Sequence, residues 1–167
     1  DRSKCFDNVN TNLILDLIDD IYPNSQITRA QRNMYHQLER RIKRQQAYTN
    51  PFKSTNGIIQ GCSLSLIPIN ILFCFWIKEI NHKHPDIIAH TYIDDAKLYT
   101  TTEHIKQLEA TIDTTMQYDA LVGQKINLSK STFWTTHPKL HSQPDILPQG
   151  QKQRHFKSLG YHIHTTR

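Results

Sequence analysis

Ile87-Ile88-Ala89-His90-Thr91-Tyr92-Ile93-Asp94-Asp95-Ala96-Lys97-Leu98-Tyr99 reads as two short strands meeting at an acidic bend. Ile87 to Tyr92 is rich in β-branched and aromatic residues, and Lys97 to Thr100 resumes that pattern after Ile93-Asp94-Asp95. Two such strands across a tight turn predict a hairpin. The adjacent carboxylates at its tip repel one another unless cations lie between them. An Asp-Asp pair is common enough in surface turns, but here apolar strands flank it on both sides. Hard divalent cations prefer carboxylate oxygens, and Mg²⁺ accepts a few of them together with substrate phosphates. A pair of ions roughly 4 Å apart would require at least one further carboxylate from another strand.

Outward from the hairpin, helical periodicity takes over. Leu13, Ile14, Leu17, Ile18 and Ile21 form a stripe that Asn8 or Asn10 can cap and Pro23-Asn24-Ser25 ends. A second helix is predicted from about Arg29 to Gln46, with Met34, Leu38 and Ile42 on one stripe. Asn50-Pro51 and Asn56-Gly57 bracket a short extended piece. Ser65 reads as an N-cap with Pro68 in the first turn of a helix to about His82, apolar nearly all round and so expected to be buried. Another helix runs from about Glu103 to near Gly123, with Ile105, Leu108, Ile112 and Met116 on its apolar face. Lys125 to Leu128 and Ser131 to Thr135 are candidate strands, His137 to Gly150 a loop, and Phe156 to His164 a last hairpin centred on Leu159-Gly160. Helices and antiparallel hairpins without a βαβ rhythm give the class α+β.

Composition narrows the functional classes. At 167 residues, one domain with a real core is expected. The run from Leu64 to Ile80 is interrupted by Ser65, Pro68, Asn70, Lys78 and Glu79, short of the roughly 20 apolar residues of a bilayer span. No membrane partner is expected. Cys5, Cys62 and Cys74 form no CxxC pair and suggest no disulfide framework, which favours a reducing compartment. The start, Asp1-Arg2-Ser3-Lys4, carries no secretion signal and reads as a cut within a larger protein, intracellular and either nuclear or cytoplasmic. Residues 1–20 hold five aspartates against Arg2 and Lys4, a net −3, whereas 29–53 hold seven arginines and lysines against Glu39, a net +6. A basic segment beside an acidic one suits a protein that handles both nucleic acid and cations, although a solvated helix face reads the same way. The histidine pairs 82/84, 137/141 and 162/164 have no cysteine nearby and read as surface residues rather than zinc ligands.

Several short motifs follow one another. Asp1-Arg2-Ser3-Lys4-Cys5-Phe6 is an Asp with an aromatic five residues on. Gly57-Ile58-Ile59-Gln60-Gly61-Cys62-Ser63-Leu64-Ser65, followed by Asn70, places two of the chain's five glycines in one loop before a helix, where bare backbone lets a ligand approach. Tyr92-Ile93-Asp94-Asp95, then Gly123-Gln124-Lys125-Ile126-Asn127-Leu128-Ser129-Lys130, then Ser158-Leu159-Gly160 complete the series. In this order they resemble the palm of a reverse transcriptase, an RNA-directed DNA polymerase, most like those of non-LTR retrotransposons. The resemblance spans essentially all of 1–167. It departs at Ser63 and Leu66, where the family usually has proline, and at Pro68, two residues late.

The resemblance implies a polymerase palm with a small antiparallel sheet packed on helices, its fingers and thumb largely missing. It implies a nucleotidyltransferase that uses two Mg²⁺ ions, with Mn²⁺ as substitute, to extend a DNA primer on an RNA template with deoxynucleoside triphosphates. Asp1 and Asp94 would be the main metal ligands and Asp95 an auxiliary one. The backbone of Arg2, Ser3, Lys4 and Cys5 would face the triphosphate, and Phe6 would occupy the space a ribose 2′-hydroxyl needs. Gln60 and Gly61 would lie against the templating pair. Lys130 would protonate departing pyrophosphate, and Leu159-Gly160 would grip the primer end. Asp7, off the matched position, reads as structural. Alone, the chain is expected to extend primers poorly. Two alternatives stay open: a non-catalytic or decayed palm serving as a nucleic-acid-binding scaffold, and an RNA-dependent RNA polymerase, against which Tyr92 and Phe6 argue.

Overall fold

The computed structural model describes residues 2–137 and 140, together with the backbone of strands at 151–152, 155–158 and 161–164. Asp1, Leu159, Gly160 and most of the predicted 137–150 loop lie outside the described residues.

Five α-helices carry the fold: α1 Cys5–Asn8, α2 Thr11–Ile21, α3 Gln26–Gln37, α4 Leu66–Lys83 and α5 Ile105–Leu121. Between α3 and α4 lie the short strands β1 Glu39–Arg40, β2 Lys43–Arg44, β3 Ala47–Tyr48 and β4 Phe52–Lys53. Strands β5 Ile88–Tyr92 and β6 Asp95–Tyr99 separate α4 from α5. After α5 come β7 Thr132–Phe133, β8 Gln151–Lys152, β9 His155–Ser158 and β10 Tyr161–His164. The described strands pair two by two: β1 with β4, β2 with β3, β5 with β6 and β9 with β10 are antiparallel, and β7 with β8 is parallel. The class is α+β, as the sequence implies.

The core gathers around α4, whose Ile69, Trp76 and Ile80 are wholly inaccessible, with Ile14 and Ile18 of α2, Leu108 of α5 and Ala89 of β5 around them. Only one face of α4 is buried; Leu66, Asn70 and Cys74 are exposed, so its apolar circumference is not matched by burial on all sides. Despite its polar interruptions, the segment Ser63–Lys83 is long and apolar enough to cross a membrane by length and composition, contrary to the expectation from sequence. In this fold that apolar content packs against α2 and α5.

Helix α2 begins as expected: the Asn10 side chain accepts the Leu13 N–H at 3.2 Å. It stays beside α3 because Arg32 pairs with Asp16 at 2.9 Å and with Asp19. The second helix, predicted to Gln46, stops at Gln37. Continuing it would stack Arg40 on Lys43 and Arg44, like charges at i,i+3 and i,i+4; the chain instead turns into strands, and Ile42 of the supposed stripe is exposed. Ser65 precedes α4 but does not cap it. A 3₁₀ turn, Ser63–Ser65, runs directly into the helix, and the Ser65 hydroxyl bonds Tyr35 Oη at 3.1 Å instead.

Helix α5 is rotated from its predicted face. Leu108, Thr111, Thr115 and Asp119 are buried while Met116 is exposed. Polar partners decide this: Trp76 Nε1 donates to Thr115 Oγ1 at 3.1 Å, and Tyr118 Oη donates to the Leu72 carbonyl at 2.6 Å. Beyond α5, the predicted strand 125–128 reduces to a single bridge between Arg2 and Ile126, then a 3₁₀ turn, Leu128–Lys130. The predicted strand 131–135 reduces to β7.

Candidate active site

Three of the five sequence motifs come together around α1. The Arg2 backbone bridges Ile126, and the Ser3 N–H donates to the Lys125 carbonyl at 2.8 Å. Lys4 then takes a left-handed conformation (φ 49°), and its carbonyl accepts the Asp7 and Asn8 N–H groups to start α1. On one side, the Ile58 N–H donates to the Phe6 carbonyl and the Gly57 N–H to the Val9 carbonyl, both at 2.8 Å. On the other, Gln124 Nε2 donates to the Cys5 carbonyl at 2.8 Å. Two glycines make these approaches possible. A Cβ on Gly57 (φ 88°) would lie 2.8 Å from the Asp7 carbonyl oxygen, and one on Gly123 (φ 79°) 2.7 Å from that of Asn8.

The loop from Ile59 to Ser65 is held by α3. Tyr35 Oη accepts the Ile59 N–H at 3.3 Å, and Gln31 Nε2 donates to the Leu64 carbonyl at 2.8 Å. Gln60 and Gly61 are left exposed at its crest. Gln60 also borders a depression of about 210 Å³ lined by Asp7, Leu38, Arg40, Ile58 and Ile59. Sequence reasoning missed Gln31 and Tyr35 as supports. Their spacing, four apart on one helix face, was the available signal.

Asp94 sits in the two-residue turn between β5 and β6, where Tyr92 pairs with Asp95. The turn is therefore one residue shorter than Ile93-Asp94-Asp95, and Asp95 begins β6. Ile93 takes φ 55°, a conformation a β-branched residue adopts only at a cost of order 1–3 kcal/mol. Strain of this kind persists where surrounding packing dictates it, and Ile93 packs against the core. Asp94 and Asp95 are both half-buried. The Cys5 thiol, within electrostatic reach of Asp94, is pushed up to about 11, mainly by burial, with Arg2 pulling it down and Asp94 and Asp119 adding to the rise. Cys5, Phe6 and Ile93 share one apolar core.

Phe6 is half-buried and packs against the core from α1. Lys4 and Lys130 are exposed, and Ser3 is half-buried. Arg2 turns its side chain inward. Its side chain is 4% exposed, its Nε lies 2.9 and 3.0 Å from the two carboxylate oxygens of Asp119, and its guanidinium stacks 4.6 Å from the Phe73 ring centroid and 5.1 Å from that of Trp76. Nη1 and Nη2 have no hydrogen-bond partner among the described residues. Burial pushes the Asp119 carboxyl above its ordinary value, against the pull of Arg2. Sequence reading assigned Asp119 no role; an acid on the otherwise buried face of α5 was its only trace.

Among the described residues, no three His, Cys, Asp or Glu side chains gather as a metal site. The two that adjoin, Asp94 and Asp95, offer hard oxygen donors of the kind Mg²⁺ takes. The donor set fits that ion, with a third carboxylate to come from elsewhere.

No curated protein sequence matches the chain. Residues 1–163 match the family model described as reverse transcriptase (RNA-dependent DNA polymerase). With the match covering nearly the whole chain, the chain belongs to the reverse transcriptase family.

Proposed function

We propose that the chain is the palm of a retroelement polymerase, most like the non-LTR class, which extends a DNA primer along an RNA template inside the cell. The observation that carries this reading is the bonding of the 2–6 turn to the 57–61 loop and to the 124–126 segment, with Ile93 of the acidic turn packed on the same core as Cys5 and Phe6. Bound Mg²⁺ ions would supply Lewis-acid activation for the primer 3′-hydroxyl and offset charge on the leaving pyrophosphate. Asp94 and Asp95, with Asp1, would hold them.

The remaining roles belong to the chain's own groups. The backbone of Ser3, Lys4 and Cys5 lines the approach of the triphosphate. Phe6 rejects ribonucleotides by volume, since a 2′-hydroxyl would need the space of its ring. Gln60 and Gly61 meet the nascent pair, and Lys130 donates a proton to pyrophosphate. Leu159 and Gly160 would steady the primer end.

The test is single-nucleotide addition to an oligo(dT) primer on poly(rA) with Mg²⁺, comparing the chain with Asp94→Asn. Slow addition of thymidylate, abolished by the substitution, is expected. Retained primer–template binding with no addition at any enzyme concentration would favour the scaffold reading instead.

A further inference from the structure

Residues 39–53 form an arm with an unusual surface. Strands β1 and β4 make its base, with Glu39 opposite Lys53 and Arg40 opposite Phe52. Strands β2 and β3 make its tip, with Lys43 opposite Tyr48 and Arg44 opposite Ala47. The Thr49 N–H donates to the Ile42 carbonyl and the Ile42 N–H to Thr49 Oγ1, both at 3.0 Å, joining base to tip. No residue from Arg41 to Asn56 is even half-buried. The arm contains five cations, Arg40, Arg41, Lys43, Arg44 and Lys53, against Glu39 alone. None of the five forms an ion pair with a described residue.

A two-stranded ribbon without a core of its own is marginal in water, so its exposed apolar groups are not there for packing. Tyr48 is 62% exposed and Phe52 44%. Each stands directly across the ladder from a cation, Lys43 and Arg40, on the same side of the ribbon. Lys43 Nζ lies 5.9 Å from the Tyr48 ring centroid. A cation for a phosphate beside an aromatic ring for a base is the repeating need of a single-stranded nucleic acid. A duplex, whose bases are already stacked, uses the cations alone.

We propose that the 39–53 arm binds single-stranded nucleic acid without sequence preference, Tyr48 and Phe52 stacking on bases while Arg40, Lys43 and Arg44 neutralise phosphates. Arg40 also lines the depression beside Gln60, so a strand on the arm leads to the candidate active site. That last placement rests on the polymerase reading; the binding does not. Because the arm buries little, substitutions there leave the core untouched.

The experiment measures anisotropy of a fluorescent 20-mer single strand against the chain over a salt series, with a blunt duplex of the same length as comparison. Tyr48→Ala with Phe52→Ala is expected to weaken single-strand binding about tenfold or more and to leave duplex binding within twofold. Lys43→Gln with Arg44→Gln is expected to lower the slope of log affinity against log salt by about 1.4, at roughly 0.7 per cation for single strands. Equal losses for strand and duplex would overturn stacking. Unchanged strand binding in both double variants would overturn the proposal. Asp94→Asn should bind the strand normally, which separates failure of the arm from failure of catalysis.

Discussion

Replacing Asp119 by alanine would strand a buried guanidinium. Arg2 is 4% exposed and Asp119 1%, and among the described residues the guanidinium's side-chain hydrogen bonds are the two contacts from Arg2 Nε to that carboxylate. Aromatic faces at 4.6 and 5.1 Å give partial compensation only. Breaking one side of a buried pair costs about 3–5 kcal/mol, because the remaining charge has neither water nor partner. Against a total stability of about 5–15 kcal/mol, that is a large fraction. Urea unfolding followed by circular dichroism should show the midpoint falling by about 1 M or more, for slopes of about 1–3 kcal/mol/M. Removing both charges, in Arg2→Met with Asp119→Leu, should restore most of the loss, since burial already works against the Asp119 carboxylate. A midpoint within about 0.3 M of the parent for Asp119→Ala, or a double variant as weak as the single one, would refute the reasoning.

Gly57→Ala should lower stability by about 1–3 kcal/mol, since its Cβ would meet the Asp7 carbonyl at 2.8 Å in a left-handed conformation; an unchanged melting temperature would contradict the packing of that loop on α1. The Cys5 thiol, raised from 9.0 to about 11, stays neutral in the folded chain while the unfolded chain ionises. Its contribution is therefore fully present below pH 9 and lost as pH rises towards 11, and Cys5→Ser should flatten the pH dependence of urea midpoints in that window. Phe6→Ala should relax rejection of ribonucleotides in primer extension with deoxynucleotide addition largely intact, and unchanged selectivity would leave Phe6 as a packing residue.

Local signals in the sequence located most of the elements, and long-range polar contacts account for most of the differences. The β5–β6 hairpin, the Asn10 cap of α2 and the course of α4 follow from periodicity and turn chemistry that neighbours in the chain supply. The face of α5 does not. Its apolar stripe at Ile105, Leu108, Ile112 and Met116 competes with threonines and an aspartate whose partners, Trp76 and Arg2, lie far away in sequence. The length of α3 was overestimated because Met34, Leu38 and Ile42 keep helical spacing while four cations in positions 40–44 oppose it. At the site, motif order identified the segments that α1 brings together. It implies a ligand-facing backbone at Arg2 and is silent on its side chain, which belongs to the core. The supports Gln31 and Tyr35 carry no motif, and only the fold exposes what they hold.

The central claim is that the 2–6 turn and the Asp94 turn form one metal-dependent centre. Paramagnetic broadening of amide signals by substoichiometric Mn²⁺, recorded on the isotope-labelled chain, tests it directly. Signals of Ser3 to Phe6 and of Ile93 to Asp95 should broaden together, and Asp94→Asn should remove the effect at both. Broadening centred on other carboxylates such as Asp16 and Asp19, or broadening that Asp94→Asn leaves unchanged, would contradict the account.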